Sequence, residues 1–179
     1  NYVKHIEELG NEKSESPIIF LKPDSALIKN NDPFYYPDFS SEIHYEVEII
    51  IKIKKVGKSI PVNFAHKYYD SIGLGIDLTA RDLQNKAKTK GLPWDLAKGF
   101  NGSAPISHFI HKDPFNVQDL NFSLKLNGNT VQSSNTSLML WPIDEMIAYV
   151  SKYMTLKKGD ILFTGTPEGC LLYTSDAAD

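Results

Sequence analysis

The sequence predicts one α+β domain that is mostly β, and three observations carry that expectation. Residues 43–54 alternate with period two, so that Val47, Ile49, Ile51 and Ile53 share one face while Glu46, Glu48, Lys52 and Lys54 share the other. Asn127-Gly128, set between residues 120–126 and 130–132, is a strong signal for a two-residue hairpin turn. Strand segments of this kind outnumber long helical ones. The chain has 179 residues, 41% of them hydrophobic, which suffices for one well-buried core and is too short for two full domains.

Taken in order, residues 2–9 form a short helical candidate stopped by Gly10-Asn11, and the polar stretch through Ser16 suits a lid or entry segment. Residues 17–21 read as a short buried strand closed by the turn Lys22-Pro23-Asp24-Ser25. An irregular, aromatic, Pro-rich loop follows over residues 30–39. After the long strand come a helix over 64–70, a Gly-punctuated strand over 73–77, and a helix from Thr79 as N-cap to Lys90, with Gly91 past its end. Met146, Ile147, Val150 and Met154 keep helical spacing after Pro142, and residues 161–164 form a short strand leading into Gly165-Thr166-Pro167-Glu168-Gly169. The stretch from Cys170 to Asp179 continues neither pattern and reads as a truncated or spliced-on tail; position 1 is Asn, so a preceding segment is expected to be missing.

Composition argues against several classes. With 19 basic and 22 acidic residues the net charge is -3, and no basic stripe interleaved with aromatics is present, so nucleic acid is a poor partner. Cys170 is the single cysteine, which rules out an internal disulfide and a Cys-based zinc site and fits a reducing compartment. No apolar run approaches the about 20 residues of a membrane span, and the N-terminal residues lack a signal peptide's apolar core. A cytoplasmic protein without a membrane partner is expected.

Chemistry concentrates at a few positions. Residues two apart on a strand point to the same side, roughly 6 to 7 Å apart, so Glu46 and Glu48 can converge on one cation. A hard ion such as Mg2+ takes oxygen ligands and keeps open positions for substrate. The alternative is a solvated face, each Glu paired with Lys52 or Lys54. Asp77 interrupts the apolar, Gly-rich Gly73-Leu-Gly-Ile-Asp-Leu, where a buried carboxylate needs a partner or a metal; helix capping ahead of Ala80-Arg81-Asp82 explains it equally. His5 and Glu8 lie three apart on one helix face, as a general-base dyad or as exposed neighbours. Lys98 is placed to offer positive charge to a carboxylate or enolate, and Arg81 and Gln84 lie one turn apart; each also suits a plain surface. Thr166 sits in a turn whose hydroxyl and N–H groups suit a carboxylate, although turn-forming Gly and Pro explain the composition too.

In order and spacing, Tyr45-Glu46-Val47-Glu48, Gly75-Ile-Asp77-Leu-Thr-Ala-Arg81-Asp82-Leu-Gln84, Gly91-Leu-Pro-Trp94-Asp-Leu-Ala-Lys98 and Gly165-Thr166-Pro167-Glu-Gly169 together resemble the fumarylacetoacetate hydrolase family. The resemblance is strongest to its acylpyruvase and oxaloacetate decarboxylase branch. It also takes in Asn1-Tyr2-x-x-His5-x-x-Glu8 and Phe20-Leu21-Lys22-Pro23, and covers residues 1–169. It implies a mixed β-sandwich roll with peripheral short helices, a catalytic domain truncated at both ends, and a homodimer. It implies Mg2+ or Mn2+ held by Glu46, Glu48 and Asp77, and a lid on which His5 and Glu8 position water. Lys98, Arg81, Gln84 and Thr166 match positions that contact substrate or stabilise an oxyanion.

The reaction expected on that basis is metal-dependent C–C bond cleavage in a small 2-oxo acid, by acylpyruvate hydrolysis or oxaloacetate decarboxylation, through a stabilised enolate. A tautomerase or isomerase of the same family is the alternative, since it needs enolate stabilisation and proton shuttling but no attacking water. From another class, a non-catalytic metal- or anion-binding module also accommodates the carboxylates.

Overall fold

A computed structural model describes residues 1–8, 14–169 and 172–173. In chain order the elements are α1 (Val3–Glu8), β1 (Leu27–Ile28), β2 (Ile43–His44), β3 (Val47–Ile53), α2 (Val62–Ala65), β4 (Tyr69–Ile76), β5 (Thr79–Ala80), α3 (Arg81–Lys90), α4 (Asp95–Lys98), β6 (Ala104–Pro105), β7 (Ile110–His111), β8 (Asn121–Leu126), β9 (Asn129–Asn135), α5 (Ile143–Tyr153), β10 (Ile161–Phe163) and β11 (Leu172–Tyr173). The strands form an antiparallel sheet ordered β10-β3-β4-β7, a second ordered β11-β2-β5, the hairpin β8-β9, and a short parallel pair β1-β6. The expected α+β, sheet-dominated class is what the chain adopts.

Strand β3 is the spine. Its Val47, Ile49, Ile51 and Ile53 pack against Ile143, Met146, Ile147 and Val150 of α5, with Tyr2, Tyr69, Ile72 and Phe122 around them. The period of two on the strand meets the i, i+3, i+4 stripe of the helix, which is why these two elements bury each other. Ile147 is fully buried; truncating such a residue to Ala costs about 2–5 kcal/mol. On the other face Ile50 meets Phe163, and a Cβ on Gly75 would fall 2.5 Å from the Phe163 ring, so that position has no room for a side chain. A smaller core of Ile43, Tyr45, Leu78 and Ala80, covered by Phe34, Tyr36 and Phe100, lies at the β2–β5 pair.

Local signals for the hairpin and for α5 hold. Asn127 and Gly128 both have positive φ, 50° and 83°, as a type I′ turn requires. Gly91 ends α3 in the left-handed conformation, φ 63°.

Other expectations are corrected. Residues 17–21 are not a buried strand: Ile18 and Leu21 are each 64% exposed and no ladder includes them, because only Ile19 packs on the main core. The long strand breaks at Tyr45-Glu46 into β2 and β3, which belong to different sheets. The helix placed at 64–70 is the earlier and shorter α2, and Asp70 lies in β4, whose pairing with β3 reaches back to Tyr69. Thr79 does not cap α3; it pairs with His44, and Ala80 stands at the cap. The Gly10-Asn11 stop and the tail from Cys170, apart from the backbone of β11, lie outside the described residues.

Candidate metal centre

Two interruptions face each other. The chain leaves β2 at Tyr45-Glu46 and leaves β4 at Asp77-Leu78, and Asp77 N–H donates to Glu46 C=O at 2.8 Å across the gap. Glu48, two residues on, pairs with Gly75 in the β3–β4 ladder. One oxygen from each of Glu46, Glu48 and Asp77 therefore lies within 4.8 Å of the others, with all three residues buried. Burial removes the solvated-face explanation for Glu46 and Glu48, and Asp77 precedes β5 rather than capping a helix.

Cations surround two of the three carboxylates. Lys98 Nζ, carried in by the short α4, bridges Glu46 Oε2 at 2.8 Å and Asp77 Oδ2 at 2.6 Å and donates to Thr79 Oγ1 at 2.5 Å. Arg81 pairs its guanidinium with Glu46 Oε1 and donates to Gln84 Oε1 at 2.5 Å. Lys22 Nζ forms an ion pair with Asp77 Oδ1 at 2.7 Å, and donates to Ser103 and to the Lys98 carbonyl. Glu48 has no ion pair among the described residues; its Oε2 accepts the Gly165 backbone N–H at 2.5 Å.

Protonation follows from these partners. Burial alone would raise Glu46, but Lys98 and Arg81 hold it well below the usual carboxylate range. Burial would lower Lys98, and Asp77 and Glu46 more than reverse that, so it stays charged. Burial lowers Lys22, only partly offset by Asp77. Burial, with Asp77 beside it, pushes Glu48 up to about 8. A buried carboxylate with a missing countercharge, converging with two further buried carboxylates on one point, fits a hard divalent cation bound through oxygen.

The dyad and the Gly-rich turn are also brought together. His5 Nδ1 lies 3.5 Å from Glu8 Oε2, and burial lowers the imidazole pKa, favouring the neutral form that accepts a proton. Glu8 accepts the Gly169 N–H at 3.1 Å and Lys4 lies 3.5 Å from Glu168, so α1 docks on the 165–169 turn. His5 is close enough for its charge to act on Glu46. The Thr166 hydroxyl is not turned to a ligand: it donates to the Val47 carbonyl at 2.8 Å and accepts from Gln132 Nε2 at 3.0 Å.

A cavity of about 500 Å3 opens onto Glu48, Asp77 and Lys22, walled by Phe20, Leu27, Ile161 and Phe163 among others. Arg81, Gln84, Lys98, Thr166, His5 and Glu8 do not line it. Lys22 is a site residue that residue type and spacing do not single out: it stands in Phe20-Leu21-Lys22-Pro23, and a lone Lys beside Pro carries no local signal of burial.

Residues 1–178 match the family model described as the fumarylacetoacetate hydrolase C-terminal domain. The mitochondrial oxaloacetate tautomerase of Mus musculus is 40% identical over 170 residues, 94% of this chain and 77% of that protein. The mitochondrial oxaloacetate decarboxylase of Dictyostelium discoideum is 42% identical over 173 residues, 94% of this chain and 78% of its own length. Among solved structures, fumarylpyruvate hydrolase from Pseudomonas aeruginosa in complex with Mn2+ and pyruvate superposes with a TM-score of 0.91 at 32% identity, covering 96% of this chain and 76% of that one.

Proposed function

This chain belongs to the fumarylacetoacetate hydrolase family, and from that premise we propose that it is an enzyme acting on a small 2-oxo acid at a divalent-metal site formed by Glu46, Glu48 and Asp77. The observation that carries the reading is Glu48, a buried carboxylate without an ion-pair partner among the described residues, set beside two carboxylates that have them. Mg2+ or Mn2+ held there would supply Lewis-acid polarisation of the 2-oxo acid, and because Glu46 and Asp77 are already balanced by Arg81, Lys98 and Lys22, only Glu48 would offset the ion's two positive charges.

The reaction proposed first is C–C bond cleavage, either hydrolysis of an acylpyruvate or decarboxylation of oxaloacetate. For hydrolysis, neutral His5 takes a proton from water, Glu8 orients the imidazole, and the water oxygen attacks the distal carbonyl; the C–C bond then breaks, the acyl carbon leaves as a carboxylic acid, pyruvate enolate takes the electron pair, and the proton held on His5 passes to the enolate carbon to give pyruvate. Lys98 keeps Glu46 ionised and holds Glu46 and Asp77 in place, while Lys22, at the cavity wall, offers an ammonium to the anionic product. Arg81 and Gln84, joined to each other beside Glu46 and outside that cavity, are proposed to act on the substrate through Glu46, which Arg81 holds, and Thr166 contributes through the turn it anchors.

Keto–enol tautomerisation of oxaloacetate is the second reading. Lys22, its pKa lowered by burial and its Nζ beside Asp77, is suited to passing a proton at the cavity wall, and a relative sharing 40% of its residues is named a tautomerase.

Turnover of acetylpyruvate, oxaloacetate and enol-oxaloacetate, each with Mg2+, with Mn2+ and with EDTA, tests both readings. Metal-dependent loss of acetylpyruvate or release of CO2 is the expected result; metal-dependent ketonisation alone transfers the assignment to the tautomerase. Silence on all three by a chain that still binds metal overturns the enzymatic reading.

A further inference from the structure

We propose that Gln132 is a positioning residue for the metal centre, acting as a substitute strand that holds Glu46 and Glu48 in place; this rests on the reading of the carboxylates as a metal site. Strand β10 pairs with β3 through Phe163 and Ile50, and Thr164 N–H still reaches the Ile49 carbonyl at 3.2 Å. There the backbone ladder stops, because Gly165 turns away with φ +96° and aims its N–H at Glu48 instead of at β3. The start of β3, which carries Glu48 and follows directly on Glu46, is therefore left without β10 main chain on that side.

Side chains take over the missing ladder. Thr164 Oγ1 donates to the Ile49 carbonyl at 2.8 Å and Thr166 Oγ1 donates to the Val47 carbonyl at 2.8 Å. The N–H of Val47, between the two glutamates, is accepted by Gln132 Oε1 at 2.9 Å. Gln132 Nε2 in turn donates to Thr166 Oγ1 at 3.0 Å and to the Pro167 carbonyl at 3.2 Å. One amide, 2% exposed, thus ties the Val47 peptide to the turn whose Gly165 N–H holds Glu48. Its own strand seats the far end of that turn: a Cβ on Gly169 would fall 2.3 Å from the Val131 carbonyl, and Gly169 N–H reaches Glu8. An amide is needed here because the position must accept from one N–H and donate to two oxygens, which neither a carboxylate nor a hydroxyl does.

The consequence lies in metal affinity, beyond any effect on stability. Partners of metal ligands typically change affinity by about 10- to 100-fold when removed. The test is Mn2+ titration of the folded chain, followed by EPR of the free ion and by calorimetry, for the wild type and for Glu48→Gln, Gln132→Met and Gln118→Met. Gln118 is the control: it clamps Thr136 and Ile143 by the same kind of amide pair, away from the carboxylates. Expected are loss of binding in Glu48→Gln, affinity weakened about 10- to 100-fold in Gln132→Met, and wild-type affinity in Gln118→Met. Should Gln132→Met not fold, Thr166→Val removes the adjoining strand contact and is expected to weaken Mn2+ binding in the same direction. Wild-type affinity in whichever of these two variants is read, or equal weakening in Gln118→Met, overturns the role of Gln132 while leaving the metal site intact. A wild type that binds no Mn2+, or binds it regardless of Glu48→Gln, removes the metal reading and this inference with it.

Discussion

Gly165 donates its backbone N–H to Glu48 Oε2 at 2.5 Å, and it reaches that position only because its φ of +96° turns the chain out of the β10 ladder. The contact joins the turn after β10 to a carboxylate with no ion-pair partner among the described residues. Gly165→Ala strains the turn twice, through φ and through a Cβ that would fall 2.6 Å from Asn1 Cβ. The expected cost is about 1–3 kcal/mol in urea denaturation, together with weaker Mn2+ binding. Unchanged stability and affinity would show that the turn adapts without moving Glu48.

Lys98 ties Glu46 to Asp77, and removing it strands both charges in a buried site. Lys98→Met is expected to destabilise the metal-free chain by about 3–5 kcal/mol, with saturating Mn2+ restoring part of the loss. Equal losses with and without Mn2+ would separate Lys98 from the metal site.

Glu48 makes the metal-free fold pH-sensitive. Its carboxyl is raised from 4.5 to about 8 by burial and by Asp77. Between those values the folded state holds a proton that the unfolded state has released. This group's contribution to stability is therefore fully present below about pH 4.5 and is lost as pH rises through about 8. Unfolding free energies from urea titrations in EDTA are expected to fall across that window by an amount on the order of a few kcal/mol, and Glu48→Gln should flatten the trend. A Glu48→Gln profile that keeps the wild-type slope would assign the pH dependence to another group.

His5 separates the two kinds of C–C cleavage. His5→Ala is expected to slow acetylpyruvate hydrolysis by about 100-fold or more, while metal-dependent decarboxylation of oxaloacetate, which needs no attacking water, continues near the wild-type rate. Equal slowing of both reactions would mean that His5 serves the fold or the lid and not the water.

The local parts of this architecture were legible in the sequence. The Asn127-Gly128 hairpin and the Met146–Val150 stripe of α5 depend on turn chemistry and helical spacing, which neighbours in sequence determine. The Glu46, Glu48 and Asp77 set was legible as residue types at workable spacing, but alternation in β3 marked the glutamate face as polar, and polar faces are normally wet. Its burial comes from β10, from the 165–169 turn and from Lys98, none of them near in sequence. Lys22 was hidden because residues 17–21 have the composition of a strand, whereas the chain uses them as an exposed wall of the cavity. Gln132 looked like any polar residue of a hairpin; its inward amide is specified only by the ladder that Gly165 interrupts.

The central claim is that Glu46, Glu48 and Asp77 hold one divalent ion at which a 2-oxo acid binds. Anomalous diffraction at the manganese edge, from crystals grown with Mn2+ and soaked in pyruvate, tests it most directly. The account predicts one strong peak with an oxygen of each carboxylate at about 2 Å and pyruvate density adjoining it in the cavity beside Lys22. No peak among the three carboxylates at saturating Mn2+ would contradict it.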